Sequence, residues 1–249
     1  MKKAIDMHTH INTGSKFDSS PNSLLYDASL EYLMKMNEAA GIEKMFCSTF
    51  SSVLSCEEVE KENEFLYELS QKTDCLYQWV VIDPRNDNTF LQAEKMLESP
   101  KCVGIKLHPP MHGYSLDEYG DKIFSFAEKY KAIVLIHPEQ SPDYILPFAE
   151  KYPDVTFIMA HMGAFREDSY ADAIEFAKHK NVYIDTSSSN SMKNKVLEYV
   201  VGRCGSDRIL FGTDTYAAGF QKGRIEYALI SEEDKENILW KNAERLFQI

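Results

Sequence analysis

Eight short apolar segments recur along the chain, and they constrain the fold more than any other feature. Each is six to nine residues long and is bounded by turn-forming or charged residues, as expected of strands that are buried on both faces. In chain order they are KAIDMH (3–8), EKMFCSTF (43–50), CLYQWVVID (75–83), CVGIKLH (102–108), AIVLIH (132–137), VTFIMAH (155–161), NVYIDTS (181–187) and RILFGTD (208–214).

Amphipathic stretches with helical periodicity separate these segments. They predict helices over 27–40, 57–72, 89–99, 121–130, 142–151, 167–179, 192–201, 223–230 and 232–247. Alternating strands and helices indicate parallel βαβ units. Eight units within 249 residues predict an α/β fold, a (β/α)8 TIM barrel formed as a single domain over residues 1–249. A doubly wound open sheet is the alternative, and no GxGxxG or Walker motif supports it.

Composition limits the class of function. The formal net charge is −12, which argues against nucleic-acid binding and favours a small-molecule substrate. The five cysteines form no CxxC pair, and a reducing cytoplasm fits them. No apolar run approaches the roughly 18 residues of a membrane span, and the two N-terminal lysines precede no signal-peptide core. We therefore expect a cytoplasmic protein with no membrane partner, and a homo-oligomer is left open.

Histidines cluster at the ends of the predicted strands. The chain has seven histidines, and five of them end or nearly end a segment: His8, His10, His108, His137 and His161. The eighth segment ends at Asp214. In a barrel all strand carboxyl ends meet at one face, so these side chains are predicted to converge. Imidazole and carboxylate together suit a divalent metal such as zinc.

Strand parity supports this convergence. Side chains two residues apart share a face of a strand, so Asp6, His8 and His10 share one if the strand is regular. Lys106 and His108 likewise share the face opposite to their apolar neighbours, and that face should point into the barrel. Asp6 could orient His8, as ligating imidazoles usually require, or could be a buried carboxylate with a structural role.

Two further histidines are less informative. His112, in the HPPMHGY segment, either meets substrate or is simply exposed. His179 sits near a predicted helix C-terminus, where a cation favours the dipole, and is interpreted as structural.

The motifs together resemble those of a known family. IDMHTH, GIKLHP, IHPE, AHMG, FGTD and the tail ENILWKNAERLFQI are similar, in order and spacing, to the amidohydrolase superfamily. The resemblance extends over nearly the whole chain and is strongest to the amidohydrolase-related branch, which contains both hydrolases and decarboxylases. It implies a (β/α)8 barrel with one or two divalent metal ions.

The resemblance also implies roles for residues. His8 and His10 would be the metal ligands of the first strand, His137 that of the fifth, and Asp214 a ligand that also handles a proton. His161 would be a second ligand or would polarise the substrate. At strand four, Lys106 could be carboxylated or bind a substrate carboxylate, and His108 could bind substrate or metal. We favour zinc and a single ion, with two ions as the alternative.

The reaction expected first is hydrolysis of a small amide, lactone or ester-like substrate. A metal would lower the pKa of bound water to about 7; Asp214 would take its proton, and His161 would stabilise the oxyanion. Non-oxidative decarboxylation of a small aryl or unsaturated acid is the alternative, and a non-enzymatic binding protein is a third. Candidate substrate-binding residues besides His112 are Arg85, Arg166 and Arg224, although the preferred interpretation of each is an ordinary surface or salt-bridge residue.

Overall fold

The protein is described by a computed structural model that covers residues 3–138, 142–163, 175 and 177–249. Its centre is one sheet of eight parallel strands in sequential order. The strands are β1 (Ala4–Ile11), β2 (Ile42–Thr49), β3 (Leu76–Val81), β4 (Cys102–Leu107), β5 (Val134–Ile136), β6 (Phe157–Met159), β7 (Val182–Asp185) and β8 (Ile209–Leu210). Each falls within or overlaps one of the eight predicted segments.

Backbone hydrogen bonds join the end of β8 back to β1. The amide of Met7 donates to the carbonyl of Phe211 at 3.0 Å, and the amides of Thr213 and Asp214 both donate to the carbonyl of His8 at 3.0 and 2.8 Å. The sheet is thereby brought round on itself. The prediction of a (β/α)8 barrel is confirmed, and the open doubly wound sheet is wrong.

Helices follow the strands, with bounds that shift by a few residues from those predicted. The α-helices are Leu30–Ala40, Phe50–Leu54, Val59–Lys72, Asp87–Met96, Pro109–His112, Leu116–Tyr130, Leu146–Lys151, Val196–Cys204, Ala218–Glu226, Glu232–Glu236 and Asn242–Phe247. A π-helical turn, Asn237–Lys241, interrupts the predicted last helix. Most of the helix predicted over 167–179 lies outside the described residues. Within them, no helix is long and apolar enough to cross a bilayer.

Local sequence signals explain where the helices begin and end. In the first helix the side chain of Ser29 accepts a hydrogen bond from the Tyr32 amide, which satisfies one free donor of the first turn. Gly41 ends the helix in a left-handed conformation with φ of 67°. The pattern predicts an apolar stripe of Leu30, Leu33 and Met34 on this helix. Leu33 is buried and Leu30 is partly buried, whereas Met34 is exposed.

The core has two layers. One lies between the strands and the surrounding helices and includes Leu107, Ile136 and Phe124. The other comprises apolar side chains in the lower part of the barrel interior, namely Ile5, Met7, Phe46, Trp79, Leu135, Ile158 and Leu210. Beyond these apolar side chains, at the C-terminal ends of the strands, the barrel interior is lined by polar side chains. We call this end of the barrel the mouth.

Gly104 allows β4 to pack against its neighbours. A Cβ at this position would lie 2.3 Å from the carbonyl oxygen of Ile133 and 2.7 Å from the ring of Trp79. No side chain fits there without displacement of a strand. The position of β4 matters for the site, because Lys106 follows two residues later.

Candidate metal site at the barrel mouth

The strand ends bring the predicted histidines to one place. His8 and His10 lie in the C-terminal half of β1. His108 and His137 directly follow β4 and β5, and His161 lies just after β6. Asp214 follows β8. All of these side chains are buried except those of His137 and Asp214, which are partly exposed.

Among the described residues two groups of three donors lie close enough to hold one ion: His8, His161 and Asp185, and His8, His10 and Asp214. In the first group Asp185 accepts from His8 Nδ1, so we consider the second as the three-donor group. His10 Nε2 lies 3.1 Å from Asp214 Oδ1, and His8 Nε2 lies 3.9 Å from the same oxygen. Ligands about 2.1 Å from a tetrahedral ion are separated by roughly 3.4 Å, which lies between these two distances. Two imidazoles and a carboxylate in this arrangement therefore fit a divalent cation.

His8 is held by hydrogen bonds on both ring nitrogens. Its Nδ1 lies 2.8 Å from Asp185 Oδ2, and Lys106 Nζ lies 2.9 Å from its Nε2. A carboxylate only accepts and an ammonium only donates, so the Nδ1 of His8 carries the proton. The lone pair on Nε2 points into the mouth, as a metal ligand requires.

Asp185 and Ser187 were not anticipated from the sequence, yet they organise two histidines. Asp185 Oδ1 accepts hydrogen bonds from the amides of His161 and Ser187, at 3.0 and 2.9 Å, and from the Ser187 hydroxyl. Because this hydroxyl donates to Asp185, its oxygen is an acceptor for His161 Nδ1, 2.8 Å away. A sequence signal existed, since both residues end the NVYIDTS segment two positions apart.

The chain of hydrogen bonds continues from His161 to His137. With a proton on Nδ1, His161 has its lone pair on Nε2, which lies 3.1 Å from His137 Nδ1. His137 then donates from Nδ1 and has its lone pair on Nε2. The chain of hydrogen bonds from Asp185 thus determines the protonated nitrogen of each ring. The three-donor group does not include His137. The His137 ring contacts His161 and stacks on His108, with ring centroids 3.9 Å apart.

His10 has equivalent support from β2. Ser48 Oγ lies 2.9 Å from His10 Nδ1, and the backbone of His10 exchanges two hydrogen bonds with the hydroxyl of Thr215. The ring of Phe50 packs against the imidazole with centroids 4.9 Å apart. These contacts hold His10 with its Nε2 toward Asp214.

Asp6 does not contact the His8 ring. Its carboxylate accepts from the backbone amide of His8 at 3.2 Å and from the amide and hydroxyl of Thr213 at 3.0 and 2.6 Å. Burial raises the pKa of Asp6 to about 7, although the hydrogen bonds from Thr213 oppose that rise. Of its two predicted roles, the structure favours the structural one, and Asp185 orients the imidazole instead.

Charges at the mouth are strongly perturbed. Burial lowers the pKa of Lys106 to about 8, and burial likewise lowers the pKa values of His8, His10, His108 and His137. Burial alone would raise the pKa of Asp214, but the neighbouring His161, His10 and His8 outweigh it and hold that pKa below its usual range. Perturbed groups gathered in one place are typical of a functional site.

Backbone strain marks the same place. His161 and Asp214 have positive φ values of 59° and 53°, and each is followed by a second residue in that region, Met162 and Thr215. Such conformations are unfavourable for residues other than glycine and are concentrated at functional sites.

The remaining candidates vary in their distance from this arrangement. His112 is buried and its Nε2 lies 2.9 Å from the Ser52 carbonyl oxygen, so it is not exposed. Arg85 is paired with both carboxylate oxygens of Asp83, and Arg224 with Glu198, as expected of structural ion pairs. Arg166 lies outside the described residues.

A groove of about 590 Å³ lies elsewhere, at the N-terminal end of β2, beside Met34 and Glu38. It contains none of the mouth's histidines, and functional sites of barrels lie at the opposite face. The mouth is therefore the candidate site.

A barrel whose strand ends bring two histidines and an aspartate together has the donor arrangement that metal-dependent barrel enzymes use. The amidohydrolase family model matches residues 5–249. The chain therefore belongs to the amidohydrolase family, as the motifs predicted.

Two curated relatives match parts of the chain. A γ-resorcylate decarboxylase from Polaromonas sp. strain JS666 is 28% identical over 126 residues, 40% of this chain and 36% of the relative. A 2-amino-3-carboxymuconate-6-semialdehyde decarboxylase from Caenorhabditis elegans is 30% identical over 102 residues, 39% of this chain and 25% of the relative. The matches thus span about a third and a quarter of the relatives' lengths.

Solved structures share the whole fold. A 2,6-dihydroxybenzoate decarboxylase from Rhizobium aligns with a TM-score of 0.80 and 16% identity, over 100% of this chain and 99% of that chain. A dihydroxybenzoic acid decarboxylase from Polaromonas sp. JS666, with bound manganese and 2-nitroresorcinol, aligns with a TM-score of 0.73 and 18% identity, over 100% and 97%.

These relatives correct one expectation. The sequence-based preference for hydrolysis over decarboxylation is wrong, because both curated relatives and both of these aligned structures are named as decarboxylases. The donor set supports a divalent metal, but it does not select zinc, and the Polaromonas structure holds manganese.

Proposed function

We propose that this protein is a metal-dependent, non-oxidative decarboxylase of a small aryl or unsaturated carboxylic acid. The observation that carries the proposal is the three-donor group of His8, His10 and Asp214 at the mouth of a barrel whose named relatives are decarboxylases.

His8, His10 and Asp214 would hold the ion, with Nε2 of His137 as the proposed fourth donor. A divalent cation there would bind the substrate's oxygens and draw electrons from them as a Lewis acid. His161 uses its two nitrogens for Ser187 and His137. We assign one ion to the site and keep His161 as the hydrogen-bond partner of these two side chains. Imidazole and carboxylate accept both zinc and manganese, so both metals should be tested.

His108 is assigned to substrate binding. Its side chain accepts a hydrogen bond from the Met111 amide through Nδ1 at 3.4 Å, which places the proton on Nε2. His108 therefore presents an N–H donor beside His137, where it can hold a hydroxyl or carboxylate oxygen of the substrate.

Asp214 is assigned to proton transfer. Decarboxylation breaks the bond between the carboxylate carbon and the substrate carbon that carries it. CO2 leaves, and one proton from solvent takes its place on that substrate carbon. The Asp214 side chain is 16% exposed, whereas those of His8 and His10 are 1% and 5% exposed. Its low pKa keeps it ionised at rest and makes it a strong acid when it is transiently protonated.

The test is release of labelled CO2 from carboxyl-labelled acids, including 2-hydroxybenzoate, 2,6-dihydroxybenzoate and an unsaturated dicarboxylate, with Mn²⁺ or Zn²⁺. The matched variants are His8→Ala, which removes a proposed ligand, and His179→Ala, which removes a histidine outside the mouth. We expect metal-dependent CO2 release that only His8→Ala abolishes. Hydrolysis of lactones or amides without CO2 release would contradict the proposal, and failure to take up any metal would support a binding protein instead.

A further inference from the structure

Lys106 is a buried lysine at the mouth to which the proposed metal site assigns no role. It is fully buried, and its Nζ donates to His8 Nε2 at 2.9 Å. The other two buried lysines of the described chain are paired with carboxylates, Lys222 with Glu226 at 2.9 Å and Lys235 with Glu232 at 2.7 Å. Lys106 instead contacts a neutral imidazole.

The carboxylates near Lys106 have other partners. Asp185 accepts from His8, His161 and Ser187, while Asp214 Oδ1 lies against His10. Asp214 and Asp185 act on the Lys106 ammonium through their charge, but the hydrogen-bond partner observed for it is the neutral His8 ring. A buried ammonium gains most from an anion in direct contact, so this arrangement is suited to an anion that arrives from outside.

Metal binding makes the need for an anion stronger. The ammonium occupies the lone pair of His8 Nε2 that a metal ligand must offer, so it has to move when that nitrogen binds an ion. A dication and an ammonium in one desolvated cavity repel each other. An anion between them would attract both.

We propose that Lys106, displaced from His8, receives the carboxylate of the substrate and selects acids over uncharged analogues. The inference rests on the proposed function and deepens it, since it assigns the residue that recognises the group to be lost. Lys106 would also couple binding of the acid to binding of the metal, because an acid that binds the ammonium frees His8 Nε2 for the metal.

The experiment compares wild type with Lys106→Met, and with Lys222→Met as the control for replacing a buried lysine. Calorimetry would measure the Kd of manganese with and without 2-hydroxybenzoate, and the Kd of 2-hydroxybenzoate and of catechol on the manganese-loaded proteins. Lys106→Gln would replace Lys106→Met if the latter does not fold.

We expect Lys106→Met to raise the Kd of 2-hydroxybenzoate by about 10- to 100-fold, as for loss of one charge-assisted hydrogen bond, and to leave the Kd of catechol unchanged. Manganese should bind the acid-free variant more tightly than it binds acid-free wild type, and the acid should then tighten manganese binding less. Lys222→Met should behave as wild type in both respects.

Equal weakening of acid and catechol, or wild-type values for both, would overturn the inference. The same measurements distinguish a failure of this inference from a failure of the proposed function. Selective loss of acid binding without CO2 release from any acid would retain the carboxylate site and refute decarboxylation. CO2 release with unchanged acid binding in the variant would do the reverse.

Discussion

Asp185→Asn should weaken metal binding although Asp185 is not one of the proposed ligands. The substitution keeps the side chain's shape. Its amide oxygen can still accept from the amides of His161 and Ser187, which fixes the amide nitrogen opposite His8 Nδ1. Two donors would then face each other unless His8 moves its proton to Nε2, the nitrogen that the metal needs.

The expected size follows from this change of tautomer. Removal of a hydrogen-bond partner behind a metal-bound histidine costs about 10- to 100-fold in metal affinity, or roughly 1.4 to 2.7 kcal/mol. The Ser187 hydroxyl oxygen, 3.0 Å from His8 Nδ1, remains as an alternative acceptor for the proton on that nitrogen, so we expect the lower half of that range.

The assay is competition for Mn²⁺ between the metal-free protein and a chelator of known affinity. The matched control is Asp83→Asn, the same chemical change at the end of β3, where the carboxylate is paired with Arg85 rather than with a histidine. The control should keep the wild-type Kd. A folded Asp185→Asn variant with wild-type manganese affinity would refute the tautomer argument.

Three further predictions concern stability. Gly104→Ala should lower the free energy of unfolding by about 3 kcal/mol, because its Cβ would overlap Ile133 and Trp79. Gly202→Ala, at an exposed helical position with nothing within 4 Å, should raise it by about 0.5–1 kcal/mol, and denaturant titration of both variants checks this. The hydrogen bonds from Arg224 lower the pKa of Glu198 from 4.5 to about 2, so the pair's contribution is present above about pH 4.5 and is lost as the pH falls toward 2. Since both side chains are partly exposed, that contribution should be about 1–2 kcal/mol, and Glu198→Gln should remove this part of the pH dependence of unfolding. Manganese at 100 times its Kd should stabilise the wild-type protein by about 2.7 kcal/mol, and a chelator should reverse the rise in Tm; an equal rise in a His8→Ala variant would contradict the assignment of that ligand.

The barrel was predictable because its signals are local. Strands buried on both faces appear as short apolar runs, and helices between them repeat with a different period, so the order of elements can be read without knowing any long-range contact. The position of His8, His10, His137 and Asp214 at strand ends then follows from the topology of the barrel.

The contacts that orient the metal ligands were not predictable in this way. Asp185 and His8 are 177 positions apart, and Lys106 and His8 are 98 apart, so each pairing depends on how the finished barrel aligns its strands. The interpretation of Asp6 assumed a regular β1, but the register of β1 against β2 shifts between Asp6 and Thr9. Parity alone therefore could not identify which carboxylate faces the His8 ring.

The proposed function requires that His8, His10 and Asp214 bind a divalent metal at the barrel mouth. The most direct test is a crystal structure of manganese-soaked protein with anomalous scattering measured for the metal. We predict one peak bonded to Nε2 of both histidines and to the Asp214 carboxylate, with the Lys106 ammonium moved away from His8. No peak at these three residues, or an ammonium still bonded to His8 Nε2 in protein that releases CO2, would contradict the account.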